Sequence, residues 1–256
     1  TVTGEKIVLR LFHESSARTL AQLGFPAPAC AELERCLRRP TGLILLTGPA
    51  GSGKTTTIHA GLCYMAALGG RHIITVEDPV EQIIPGTMQT EVNEAQGLTF
   101  AKAARHLLRQ DPQVLVIGEI RDEETAGIVV RAASTGHLAI STLHAGSCQG
   151  VLDRLMMLCP DMPAILSGLE LILNQRLLRR VCAECNGRGC ATCLHTGYHG
   201  RVPLVEWCRV DQPVRSQVRA QGASAILPAP TLAAAAAELV RAGVTDAREC
   251  ERVLGE

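Results

Sequence analysis

The chain has 256 residues, of which 46% are hydrophobic and 20% charged, a balance that suits a folded globular protein and excludes disorder as its main state. Lys plus Arg and Asp plus Glu both number 25, so the formal net charge is zero and nothing in the totals marks a dedicated binder of nucleic acid or of an anionic membrane. No apolar run approaches the ~18–20 residues of a membrane-spanning helix, and residues 1–20 lack the basic start and apolar core of a signal peptide, so a cytoplasmic location is expected.

In chain order, residues 6–11 read as a short apolar strand, and the start at Thr1 leads us to expect a piece of a longer protein. Residues 14–23 read as a helix ended by Gly24, and 29–37 as a second helix stopped by Pro40. From Gly42 onward short apolar strands alternate with helical segments. The strands are expected at 43–47, 72–76, 114–117 and 138–141, and the helices at 55–67, 100–109 and 124–134. Continuous apolar runs separated by helices are what a parallel sheet covered on both faces requires, so the core is α/β. A loop-rich, cysteine-bearing segment is expected at about 182–201. Residues 211–256 read as helical, the alanine-rich run 232–239 included.

Gly48-Pro49-Ala50-Gly51-Ser52-Gly53-Lys54-Thr55 fits the G-x-x-x-x-G-K-[ST] pattern and lies between an apolar strand and a helix start. The glycines let the backbone curl so that successive N–H groups point at phosphates. Lys54 adds positive charge at the β/γ positions, and the Thr55 hydroxyl can ligate magnesium. Two acidic residues close neighbouring strands: Glu77, with Asp78 behind it, follows 72–76, and Glu119 follows 114–117 and Gly118. Carboxyl ends of parallel strands face the ligand crevice. One carboxylate there can hold the metal while the other orients or deprotonates the attacking water. His137 and His144 flank the strand 138–141 as candidate nucleotide contacts or reporters of its state, and Arg105, Arg109, Arg121 and Arg131 are candidate arginines for phosphoryl transfer.

Eleven cysteines are present, four of them at Cys182, Cys185, Cys190 and Cys193. Two C-x-x-C pairs four residues apart supply the thiolates of a closed, structural zinc site with no position open for water. The other seven are scattered, as small buried hydrophobes in a reducing compartment are.

Taken together, the segments 48–56, Thr75-Val76-Glu77-Asp78-Pro79-Val80-Glu81, Arg109-Gln110-Asp111-Pro112 with Gly118-Glu119-Ile120-Arg121-Asp122, and Thr135-Gly136-His137 with Ser141-Thr142-Leu143-His144 closely resemble the secretion ATPases of type II secretion and type IV pilus assembly. In that family they are the Walker A, Asp box, Walker B and His box. The resemblance runs from Gly4-Glu5-Lys6 and Arg10 to the final helix. It implies a RecA-like P-loop core with a parallel-rich sheet, a small zinc subdomain and a helical C-terminal segment, working as a homo-oligomeric ring hexamer with ATP at subunit interfaces. Boundaries follow at 1–24 (the remnant of an N-terminal domain and linker), 25–181 (the RecA-like core), 182–205 (zinc) and 206–256.

The same resemblance implies roles for residues. Glu77 would activate water, Glu119 would sit near Mg2+, Gly48, Gly51, Ser52, Gly53, Lys54, Thr55, Thr56 and His137 would contact nucleotide, and His144 would couple nucleotide state to subunit motion together with His137. Arg10 would face the nucleotide of an adjacent subunit. The implied partners are an inner-membrane platform protein and a cytoplasmic docking component, with the motor peripheral at the inner membrane and no nucleic acid expected. Two departures stand out: Gln113 where the family usually has Asp, and Ala145-Gly146 where it usually has Thr-Asn.

In the family the two cysteine pairs usually flank a much longer insertion than 186–189, so a smaller zinc lobe is expected. The element Gly197-Tyr198-His199-Gly200-Arg201 matches the family's end of that lobe, and His195 and His199 are alternative ligands. Retraction motors generally lack the cluster, which favours assembly or secretion. Two other readings are weighed. A RecA-like nucleic-acid motor would use Arg176, Arg179, Arg180, Arg188 and Arg201, but the chain is neutral and has six aromatic residues for base stacking. A non-hydrolysing nucleotide-gated protein would lack some catalytic group, whereas Lys54, Thr55, Glu77 and Glu119 are all present.

Overall fold

The computed structural model describes residues 2, 4–5 and 18–255. The strand expected at 6–11, the first part of the helix expected at 14–23, and Arg10 lie outside the described residues. Of that helix the described part is one 3-10 turn, Leu20–Leu23, capped by the Thr19 hydroxyl and ended by Gly24 at φ 75°. α1 (Ala27–Leu37) starts two residues earlier than its expected beginning, because Pro28 occupies the first turn, where its missing N–H costs nothing.

The core follows as β1 (Gly42–Thr47), α2 (Lys54–Leu68), β2 (Ile73–Glu77), β3 (Met88–Glu91), α3 (Phe100–Leu107), β4 (Val114–Ile117), α4 (Glu123–Ser134), β5 (Leu138–Leu143), α5 (Cys148–Leu158), α6 (Met162–Gly168), β6 (Leu169–Val181) and β7 (Tyr198–Arg209). Then α7 (Gln212–Gln221), α8 (Leu232–Arg241) and α9 (Ala247–Leu254) close the described chain. Among the described residues one seven-stranded sheet runs in the order β3-β2-β4-β5-β1-β6-β7, parallel throughout except for the antiparallel β6–β7 hairpin.

The strands alternate between two covered faces, which is why their apolar runs are continuous. Leu43 and Leu45 of β1 join Val76, Leu115, Ile117 and Ala139 against α3, α4, α5 and α6, while Ile44 and Leu46 join Ile73, Val114, Val116 and Ile140 against α1 and α2. Each fully buried Leu or Ile contributes about 1.5–3 kcal/mol. Three helices on the first of these faces start on oxygen caps: Thr99 for α3, Asp122 for α4 and Ser147 for α5 each accept a hydrogen bond from the backbone N–H three residues on.

Register places the carboxyl ends of β1, β2, β4 and β5 on one edge of the sheet. β6 overshoots that edge: Thr47 pairs with Asn174, and the strand then runs on through Val181 paired with β7. The cysteine segment is the tip of this projecting hairpin. Sequence reasoning gave no strand to β6, β7 or β3 and no helix to α5 or α6. β7 carries Pro203, tolerated because the strand is at the sheet edge. β3 is a polar edge strand, Met-Gln-Thr-Glu, with no apolar run to find.

α8 and α9 pack on the projecting hairpin through Leu178, Val202, Leu204, Ala236 and Leu239. A fully buried carboxylate, Glu249, pins them. It accepts from the Arg179 backbone N–H at 2.8 Å and from Arg179 Nη2 and Arg252 Nη2 at 2.6 Å each. Burial pushes the Glu249 carboxyl upward, but the hydrogen bonds from Arg252 and Arg179 outweigh it and carry the carboxyl down to about 2.

Candidate functional site

Between Thr47 and α2 the chain turns through residues 48–53 with glycines where the backbone demands them. Gly48 has φ 142°, and a Cβ there would lie 2.2 Å from the Gln175 carbonyl oxygen; Gly53 has φ 91°, and its Cβ would lie 2.7 Å from Gln175 Nε2. Gln175 of β6 is thus the wall against which the loop is moulded, and its Oε1 accepts from Thr57 Oγ1 at 2.9 Å. Gly53 is the N-cap of α2 and supplies no side-chain acceptor for the first-turn N–H groups. Those donors and the positive end of the helix dipole form an anion site at the loop. Ser52 is buried with a hydroxyl that has no hydrogen-bond partner, an orphan the phosphate-binding reading explains. Lys54 Nζ donates to the carbonyls of Gly48 at 2.8 Å and Pro49 at 3.0 Å, which lays the ammonium over the loop. Burial lowers its pKa, against the opposing pull of Glu119. Thr55 and Thr56 are exposed at the helix start.

A cleft of about 280 Å³ opens beside the loop, lined by Gly51, Lys54, Thr55, His59, Glu77, Asp78, Glu119, Arg121 and His144 among others. Five residues singled out in the sequence, Lys54, Thr55, Glu77, Glu119 and His144, therefore meet in one place, as strand order and register require. The two carboxylates differ in setting. Glu77 is buried, with Oε1 accepting from Thr75 Oγ1 at 2.6 Å and Gln89 Nε2 at 2.9 Å, and Oε2 lying 3.1 Å from His59 Nε2. Burial would raise its pKa, but the bonds from His59, Gln89 and Thr75 bring the net shift below the usual value. Glu119 is more open, 3.0 Å from Arg121 Nε and 2.8 Å from His144 Nε2. Arg121 also reaches Asp78 at 3.4 Å and stacks over the Phe100 ring. Of the four candidate arginines it lines the cleft; Arg105 instead pairs with Glu124.

His137 is not brought there. It precedes β5 at the opposite end from His144, with Nδ1 3.1 Å from the Ala132 carbonyl oxygen, and its own carbonyl accepts from Gly42 N–H at 3.1 Å. Six residues of strand at ~3.3 Å each put it about 20 Å from the phosphate loop of its own subunit. His137, expected as a nucleotide contact, thus stands at the far end of β5 from its own subunit's phosphate loop, whereas His144, following β5, is at the ligand edge. Gln113 also lies at that far end, where its Oε1 accepts from His72 N–H at 2.6 Å, so this departure bears on strand pairing. At the ligand edge, the other departure is clasped: the Gly146 carbonyl accepts from Asn174 Nδ2 and Arg176 Nη2 at 3.0 Å each, and Ala145 N–H donates to Thr47 Oγ1 at 3.0 Å.

Sequence reasoning missed His59, Gln89 and Gln175, quoted Thr75 only inside the segment that carries Glu77, and named Arg176 only for the nucleic-acid alternative. Only His59, one turn after Thr55 on the helix expected to follow the loop, carried a signal that could have found it; the others depend on the unpredicted β3 and β6 or on a plain Thr inside a strand.

At the hairpin tip the sulfurs of Cys182, Cys185, Cys190 and Cys193 all lie within 4.8 Å of one another, and among the described residues this cluster holds no histidine. Sγ–Sγ distances are 3.8 Å for Cys182–Cys190 and Cys185–Cys193 and 3.7 Å for Cys190–Cys193. A tetrahedral ion with bonds of about 2.3 Å requires an S–S edge of about 3.8 Å, so the donor set fits zinc in both chemistry and size. Backbone N–H groups of Gly189 and Cys190 donate to Cys185 Sγ and Cys193 Sγ at 3.1 Å, as is usual for thiolate ligands. The short loop 186–189 is possible because Gly189 and Gly197 let the two halves touch: a Cβ on Gly197 would lie 2.5 Å from the Gly187 carbonyl oxygen.

Comparison with known proteins agrees with this arrangement. The family model described as type II/IV secretion system protein matches residues 1–252. Type II secretion system protein HxcR of Pseudomonas aeruginosa is 42% identical over 84% of this chain and 48% of its own length. Type II secretion system protein E of Klebsiella pneumoniae is 38% identical over 98% and 56%, and type II secretion system ATPase E of Vibrio cholerae 36% over 99% and 56%. The chain thus spans about half the length of these relatives. Among solved structures, the pilus retraction motor PilT with bound ADP superposes with a TM-score of 0.78 at 30% identity, covering 93% of this chain and 67% of that one. With the phosphate loop, the two strand-end carboxylates and these matches in agreement, the chain belongs to the type II/IV secretion system protein family and has its RecA-like fold.

Proposed function

We propose that this chain is the ATPase portion of a motor for type II secretion or type IV pilus-like assembly, hydrolysing ATP to ADP and phosphate in a hexameric ring. The observation that carries the reading is the convergence of Glu77 and Glu119 with Lys54 and Thr55 in one cleft. Lys54 and the start of α2 hold the β- and γ-phosphates through residues 48–56. Thr55 and Glu119 would hold Mg2+, which screens phosphate charge when bound. Glu77, ionised and fixed in direction, accepts the proton of the attacking water. His144, against Glu119, is placed to pass the state of the phosphates to the loop 144–146 and so to β6. Arg10 serves the site of an adjacent copy in this reading, and His137 works away from its own subunit's nucleotide.

The division at 1–24, 25–181, 182–205 and 206–256 belongs to the same proposal, with β7 shared between the last two parts. Zinc holds the hairpin tip and so favours assembly or secretion over retraction. The whole motor would act at the cytoplasmic face of the inner membrane on a platform protein, with a cytoplasmic docking component; no helix among the described residues is long and apolar enough to cross a membrane. The test is ATP hydrolysis against protein concentration, with bound zinc measured in the same samples. Activity rising more than linearly, at about one zinc per chain, supports an oligomeric composite site. Specific activity independent of concentration from monomer upward contradicts it.

A further inference from the structure

Glu77 is held by donors from three elements: Thr75 of β2 and Gln89 of β3 on Oε1, and His59 of α2 on Oε2. A carboxylate offers about four lone-pair positions. Protein donors take three, and the remaining one is on Oε2, the oxygen that His59 touches. An ionised carboxylate can only accept, so His59 presents Nε2–H, and a nitrogen already carrying its proton cannot take another from Oε2. His59 therefore orients this oxygen and does not relay its proton.

The position of His59 gives that orientation a purpose. It lies one turn after Thr55 on α2, the helix whose first turn faces the phosphates, and it is 5% exposed. The helix that binds phosphate thus also carries the donor that aims the carboxylate. Gln89 cannot replace it, because its amide is committed to Oε1, to the Gln82 carbonyl at 2.9 Å and to the Ile84 N–H at 2.7 Å.

We propose that His59 is a positioning residue for hydrolysis: its Nε2–H fixes Oε2 of Glu77 so that the last free lone pair points at the attacking water, locking the aim of the carboxylate to the phosphate-binding helix. The inference rests on Glu77 being the water-activating group, and its test separates the two claims. ATP affinity, single-turnover hydrolysis and thermal stability are measured on the assembled protein for wild type, His59→Leu, His59→Gln and Glu77→Gln. His59→Leu removes the donor at similar volume and is expected to slow the chemical step about 10- to 100-fold, with ATP affinity within about threefold of wild type. His59→Gln places an amide N–H near the Nε2 position and is expected to recover the rate to within about fivefold of wild type. A glutamine variant as slow as the leucine variant, or a leucine variant as fast as wild type, overturns the role of His59. Hydrolysis that survives Glu77→Gln overturns the reading of Glu77 itself, whatever the His59 variants do.

Discussion

His144 Nε2 lies 2.8 Å from Oε1 of Glu119, joining the residue after β5 to the residue beyond β4 across the mouth of the cleft. Arg121 holds the other oxygen at 3.0 Å, so the carboxylate is steered from both sides. His144→Ala leaves Arg121 as its remaining partner of the two. Phosphate binding by the loop 48–55 does not depend on this contact, so ATP affinity is expected to stay within about threefold while turnover falls about tenfold. Calorimetric ATP binding beside steady-state turnover checks the split.

Gly48 allows a sharper prediction, because its substitution meets backbone. At φ 142° a side chain is strained, and its Cβ would lie 2.2 Å from the Gln175 carbonyl oxygen. Gly48→Ala must displace either the phosphate loop or β6. ATP binding measured by titration is expected to fall at least about 100-fold, whereas Gly51→Ala, where a Cβ meets nothing within 4 Å, keeps only the φ penalty and loses less.

Glu249 predicts how stability depends on pH. Its folded pKa of about 2 is below the ordinary glutamate value of 4.5, so it contributes stability that is fully present above about pH 5 and is lost as pH falls from 4.5 toward 2. The contribution is about 3 kcal/mol at neutral pH. Urea unfolding should find Glu249→Gln destabilised at pH 7, the gap to wild type narrowing at pH 3. An equal gap at both values would count against the Arg179–Glu249–Arg252 cluster as its source.

Zinc removal should be local. Cys185→Ser, or a strong chelator, is expected to release about one zinc per chain and to loosen the hairpin tip and the α8–α9 pair packed on its base. Hydrogen exchange should rise across 178–204 and 232–254, with ATP affinity kept within about threefold, since the loop 48–55 is walled by Gln175, below the tip.

Much of this was legible because apolar runs, glycine spacing and cysteine spacing are local signals. The strand 114–117 appears at the expected residues, and the phosphate loop sits between β1 and α2 as its motif requires. β6 was missed because its apolar start runs into Asn174-Gln175-Arg176, polar residues that a strand buried beside the phosphate loop uses as buttress and clasp. β3 was missed because an edge strand that serves one carboxylate through Gln89 needs no hydrophobic pattern. His137 and His144 flank one strand at opposite ends, and in a parallel sheet only the residue after the strand, His144, reaches the edge that faces the ligand.

The most direct test of the account is the comparison of Glu77→Gln with Lys54→Ala in ATP binding and turnover. Glu77→Gln is expected to bind MgATP within about threefold of wild type yet turn it over at least about 100-fold more slowly, while Lys54→Ala loses binding itself. Turnover retained in Glu77→Gln, or full ATP affinity in Lys54→Ala, would contradict it.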